Sequence, residues 1–122
     1  MAGTLVANTI NTDTGLFSTN NAYSGIAKAW VNFNGSTATV ISSFNVSSVT
    51  RVATGQYTAS FTTAMSNANY SIVGMASAGA TAYGFLTGDG TQTTTVIQNL
   101  FSRTYANAAQ DSTYISVSIF GA

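Results

Sequence analysis

The chain has 122 residues, enough for one compact domain and too few for two ordinary ones. Only 5% of them are charged, against roughly 25% in an average soluble domain. Three cations and three Asp cancel, so there is no basic cluster for nucleic acid or anionic lipid, and with no His, Cys or Glu the usual acid–base and metal-binding groups are missing.

Residues 1–24 are weakly patterned, with isolated apolar positions at Val6, Ile10 and Leu16. They read as an extended N-terminal arm or linker, ordered by contact with a neighbour, ahead of a module at 25–122. The opening residues have no basic n-region, so no signal peptide is expected, and no stretch nears the ~18 apolar residues of a membrane span. From about residue 26 the period is two. Val31 and Phe33 oppose Trp30 and Asn32, and Asn34-Gly35 signals a turn. Val40, Ser42, Phe44 and Val46 share one face of a second strand; Tyr57, Ala59 and Phe61 align on a third. Tyr70 and Ile72 oppose Val73 and Met75 on a fourth, and a fifth covers Ala82–Leu86. Gly88-Asp89-Gly90 reads as a turn, and the β-branched run Thr93–Ile97 as a strand. A loop over Ser102–Ser112 precedes the last strand, where Ile115, Val117 and Ile119 share a face.

About seven strands with turn signals between them, and no convincing helical period, predict an all-β fold. The expected form is an antiparallel β-sandwich, jelly-roll-like. Several strands carry large apolar residues on both faces, and a sandwich strand needs only one. With zero net charge and 46 of 122 residues being Ser, Thr or Asn, copies do not repel and their surfaces are cheap to bury. Self-association is therefore expected, with Ile10, Leu16, Trp30, Phe33 and Phe120 at the subunit interface.

No catalytic, cofactor or metal residue is assigned. A Ser nucleophile has no His and only one Lys to draw on, and Asp13, Asp89 and Asp111 are too scattered to predict a glycosidase pair. Gly88-Asp89-Gly90 offers one carboxylate where Ca²⁺ needs several oxygens. Recognition by surface remains. Tyr, Ser, Gly and Asn are the residues binding loops favour, and aromatic rings beside amides suit carbohydrate. Tyr83, Tyr105, Asn107, Gln110 and Asp111, in segments 77–83 and 103–111, are the candidate receptor contacts.

A set of ordered motifs then carries a resemblance. It begins with Asn11-Thr12-Asp13-Thr14-Gly15, Thr19-Asn20-Asn21-Ala22-Tyr23 and Lys28-Ala29-Trp30-Val31-Asn32-Phe33-Asn34-Gly35. It continues with Phe44-Asn45-Val46-Ser47-Ser48-Val49-Thr50-Arg51, Gly55-Gln56-Tyr57-Thr58, Phe61-Thr62-Thr63-Ala64-Met65, Ala68-Asn69-Tyr70 and the terminal Ser116–Gly121. In this order the chain resembles a module common at the C-terminal end of bacteriophage tail-fibre proteins, especially of marine and cyanobacterial phages. The match is strongest over 26–70. The resemblance implies a virion protein, assembled in the host cytoplasm, that forms a homotrimer and meets a host surface glycan or protein. It carries over no catalytic residue. The alternative expectation is a capsid-decorating or filament-forming subunit; a polysaccharide depolymerase is the third.

Overall fold

The computed structural model describes residues 3–4, 6–7, 9–12, 15–18, 25–77 and 84–121. Ten strands are described: β1 (Thr9–Thr12), β2 (Gly15–Ser18), β3 (Ala27–Asn34), β4 (Thr39–Phe44), β5 (Val46–Ala53), β6 (Gln56–Phe61), β7 (Ser71–Ala76), β8 (Gly84–Gln92), β9 (Val96–Thr104) and β10 (Ile115–Phe120). Two antiparallel four-stranded sheets, ordered β4-β3-β10-β7 and β5-β6-β9-β8, form a β-sandwich. Within the predicted arm, β1 and β2 pair with each other, Thr9 opposite Ser18 and Thr12 opposite Gly15, and with no other strand among the described residues.

Alternation builds most of the core, and in β9 the left-handed Asn99, at φ 57°, resets the phase so that Ile97 and Leu100 share a face three residues apart. Ala29, Val31 and Phe33 of β3 and Ile115, Val117 and Ile119 of β10 face inward, meeting Tyr57, Ala59 and Phe61 of β6 and Ile97 and Leu100 of β9. Fully burying one such aliphatic or aromatic side chain stabilises by about 1.5–3 kcal/mol, so this layer dominates folding. Phe33 and Tyr57 meet edge to face across the layer at 5.2 Å, and Phe61 and Tyr70 at 5.8 Å.

Three departures from the predicted strands have local causes. The second predicted strand breaks at Asn45, whose φ of 55° turns the chain out of one sheet and into the other. Val46 therefore opens β5 and does not share a face with Phe44. A bulge at Ile41 has already shifted the phase, so Val40 lies opposite Phe33 but Phe44 opposite Trp30, on the outer face. This extra corner is why eight strands build the sandwich where about seven were expected. Thr93–Thr95 form a turn despite their β-branched chemistry, because Thr93 Oγ1 accepts the N–H groups of Thr95 and Val96 at 3.2 and 3.1 Å. Gly88-Asp89-Gly90 is no turn. It lies inside β8, where the register slips between Gly88 and Thr91.

Asn45 holds its corner with its own amide. Nδ2 donates to the carbonyls of Lys28 and Thr63 at 3.2 and 3.1 Å, and Oδ1 accepts from Thr63 N at 2.8 Å. Asn45→Gly keeps the positive φ and removes only these bonds. It should cost about 1–2 kcal/mol in urea denaturation; no measurable loss would mean that the backbone alone makes the corner.

Candidate functional site

Three connections gather at one end of the sandwich: the β3–β4 turn at Gly35, the β5–β6 turn at Gly55, and the 105–114 segment between β9 and β10. Asp111 ties the last two together. Its Oδ1 accepts from Arg51 Nε at 3.0 Å, Gly55 N at 2.9 Å and Tyr57 Oη at 2.8 Å, and its Oδ2 from Arg51 Nη2 at 2.7 Å. The guanidinium fork engages both oxygens, a geometry Lys could not supply. Arg51 Nη2 also donates to Thr54 Oγ1.

The electrostatics follow from this packing. The Arg51 hydrogen bonds, helped by Gly55 N and Tyr57 Oη and opposed by burial, bring the Asp111 carboxyl down to about 2. Burial first, and then the Asp111 carboxylate, push the Tyr57 phenol well above its ordinary range. Asp111 raises the Arg51 guanidinium in turn.

Beneath this cluster the backbones interlock. Ser102 N donates to Gly55 O at 2.8 Å, Gln110 N to Ser102 O at 3.1 Å and Gly35 N to Ser112 O at 2.9 Å. The Ser102 and Ser112 hydroxyls, both wholly buried, meet at 2.6 Å. Gln110 and Asp111, expected to contact a receptor, are instead the foundations of the loop. Gln110 is half-buried by its backbone role, and the Asp111 side chain is 19% exposed with four internal bonds.

Beyond these foundations stands a small tip. Thr104 N donates to Ala108 O and Asn107 N to Thr104 O, both at 2.9 Å, and Thr104 Oγ1 accepts from Ala108 N. Asn107 has φ 62°. Tyr105, Ala106 and Asn107 thus form a three-residue hairpin loop ending in a left-handed residue, a conformation Asn tolerates well. Arg103 braces it, donating from Nη1 to Asn107 O at 3.1 Å while its guanidinium lies 4.8 Å over the Phe101 ring. Tyr105 is 79% exposed on this braced turn. Tyr105 and Asn107 are therefore the two expected contact residues that the fold displays together. Tyr83 lies outside the described residues.

A second surface is the outer face of the β4-β3-β10-β7 sheet. One row across it reads Phe44, Trp30, Ser118, Val73 and the next Ser42, Asn32, Ser116, Met75, with no charge in either. Trp30 is 37% exposed here, and Phe44, Val73 and Met75 are more so. Of the residues expected at an interface, Trp30 is on this face and Phe120 is half-buried on β10. Phe33 is not available to a partner. It points into the core and is fully buried against Tyr57. Ile10 and Leu16 fall in β1 and β2, and the surroundings of their side chains lie outside the described residues.

Between the β7 and β8 edges a cleft of about 300 Å³ opens, lined by Ile72, Gly74, Leu86, Gln92, Ile97 and Leu100 among others. No protein-family model, curated protein or solved structure matches the chain.

Proposed function

We propose that this chain is a host-attachment module of the phage tail-fibre kind, working in the virion as a homo-oligomer and performing no bond-making chemistry. The observation that carries the reading is the tip: an exposed Tyr105 beside Asn107, on a turn fixed by hydrogen bonds and founded on Asp111. A rigid aromatic with an adjacent amide offers stacking area and hydrogen bonds at little entropic cost, which suits a glycan or peptide surface. The motif resemblance supplies the biological setting and a trimer. Several weak tips on one assembly then add through avidity.

The absence of an activity is part of the proposal. Asp111, held near 2, has no proton to give at neutral pH and spends its lone pairs on Arg51, Gly55 and Tyr57. Incubating the protein with host surface glycan should release no new reducing ends; release would establish the depolymerase reading.

The second reading, a capsid-decorating or filament subunit that binds no receptor, is favoured by the two charge-free rows across the outer face of the β4-β3-β10-β7 sheet. Tyr105→Ala separates the two. Its ring is mostly in water, so stability should change by no more than about 0.5 kcal/mol, while binding to host cells should fall at least ~5-fold per site, the loss of a contact worth over 1 kcal/mol. Undiminished binding, or none by the unaltered protein, would favour the structural subunit.

A further inference from the structure

The four edges of the sandwich are not guarded alike. β4 bulges at Ile41, β5 carries extra residues at Ser47 and Val52, and β8 slips between Gly88 and Thr91. Such irregularities spoil an edge as a template for another strand. β7 has none. Its six residues run in unbroken register against β10, without a charge or a proline. No strand other than β10 pairs with it among the described residues.

The direction of its free backbone groups follows from the ladder. Ser77 N donates to Tyr114 O just beyond the strand, so the hydrogen-bonded pairs with β10 fall at Ser77, Met75, Val73 and Ser71. The N–H and C=O groups of Ile72, Gly74 and Ala76 must then point the other way, out of the sheet edge. On the outer face Val73 and Met75 are 58% and 68% exposed, beside a shallow groove they share with Ser116 and Ser118.

We propose that β7 pairs with β7 of a second copy, antiparallel, about a two-fold axis at Gly74. In that register Gly74 faces Gly74 of the second copy and Ile72 faces Ala76, and these are the positions whose backbone groups are directed outward. Val73 faces Met75 of the second copy as a close, non-hydrogen-bonded pair, so the two exposed apolar side chains of each strand cover each other. No charge opposes a like charge anywhere along the pair. The occupant is a second copy because the strand is complementary to itself: each apolar outer residue finds an apolar partner and each outward N–H an outward C=O. The two four-stranded sheets merge into one. This inference goes beyond host attachment and does not depend on it. A two-fold pair cannot generate a threefold, so it would join single chains as dimers or link trimers to one another.

Because the chain has no cysteine, disulfide trapping reads the register cleanly. Val73→Cys and Met75→Cys, mixed and oxidised, should give a covalent dimer, since those Cα atoms would lie roughly 4.5 Å apart. Either variant alone should give little, its two cysteines lying roughly 8 Å apart on the diagonal. In sedimentation, Val73→Lys combined with Met75→Lys should raise the midpoint concentration of association by roughly 10-fold or more through loss of two cross-strand pairs. Ile41→Lys on the bulged β4 edge should leave it unchanged. Equal trapping in the single variants and the mixture, or association indifferent to the lysines, would overturn the pairing. Cysteine trapping decides the matter even if the double-lysine chain fails to fold. A trimer whose mass is unmoved by the lysines, still binding host cells through Tyr105, sinks this inference and leaves attachment standing.

Discussion

Asp111→Ala should destabilise the sandwich by about 2–4 kcal/mol at neutral pH, because it strands the buried Gly55 N–H and Tyr57 hydroxyl without an acceptor. Arg51, a third exposed, adds little to that figure since water screens its charge. The effect also has a pH signature. The folded carboxyl titrates near 2 against an ordinary 3.8. Its contribution is therefore full above pH ~4 and is lost as pH falls through ~2. That loss should amount to at most about 2 kcal/mol, because water screens the share owed to Arg51. Asp111→Asn should lack this decline, so subtracting its stability curve from that of the unaltered protein isolates the carboxylate. At the other extreme, the unfolded Tyr57 phenol ionises near pH 10 while the buried one stays neutral, so stability should fall again above that pH. Urea denaturation from pH 2 to 6 checks the acid limb. A flat difference between Asp111 and Asn would show that the cluster contributes through shape alone.

Gly55→Ala is expected to be at least as damaging, about 3 kcal/mol or more. The residue has φ +64°, where an alanine costs about 1–2 kcal/mol by itself. The added methyl would also run into Ser102 O and lie 2.7 Å from Gln110 O and 2.8 Å from Gln110 N. All three are backbone atoms that cannot rotate away. Relief would require parting the β5–β6 turn from β9 and from the segment carrying Asp111, which loosens the foundations of the Tyr105 tip. Gly88→Ala makes the control, because a methyl there meets nothing within 4 Å. Thermal unfolding of the two variants should differ by several degrees; equal midpoints would show that the turn at Gly55 is more yielding than its contacts imply.

Much of the sandwich could be read from side-chain alternation, because burial on one face leaves its mark at every second residue. Val31 and Phe33, Tyr57 through Phe61, and Ile115 through Ile119 are all where that rule puts them. The rule fails where one residue changes the phase. Neither the bulge at Ile41 nor the left-handed corner at Asn45 alters composition, so Phe44 and Val46 looked like neighbours on one face. Propensity misled at Thr93–Thr95, where a hydroxyl outbids the strand for local N–H groups. Asn107 and Tyr105 were legible as loop residues. The bond between Arg51 and Asp111 was not, since nothing local connects positions so distant. Scarcity was the one available hint: with only six charges, an opposite pair had few partners to choose from.

The strand order has a consequence for synthesis. β3, the first strand of the sandwich, lies beside β10, the last, with Phe33 opposite Ile115. Until the ribosome has delivered β10, β3 has only β4 beside it in its sheet, and its second edge stays open. Contacts this remote in sequence form slowly, typically over milliseconds to seconds. The nascent polypeptide must therefore wait, sticky and incomplete, and is most vulnerable to misassembly with its siblings until β10 has emerged.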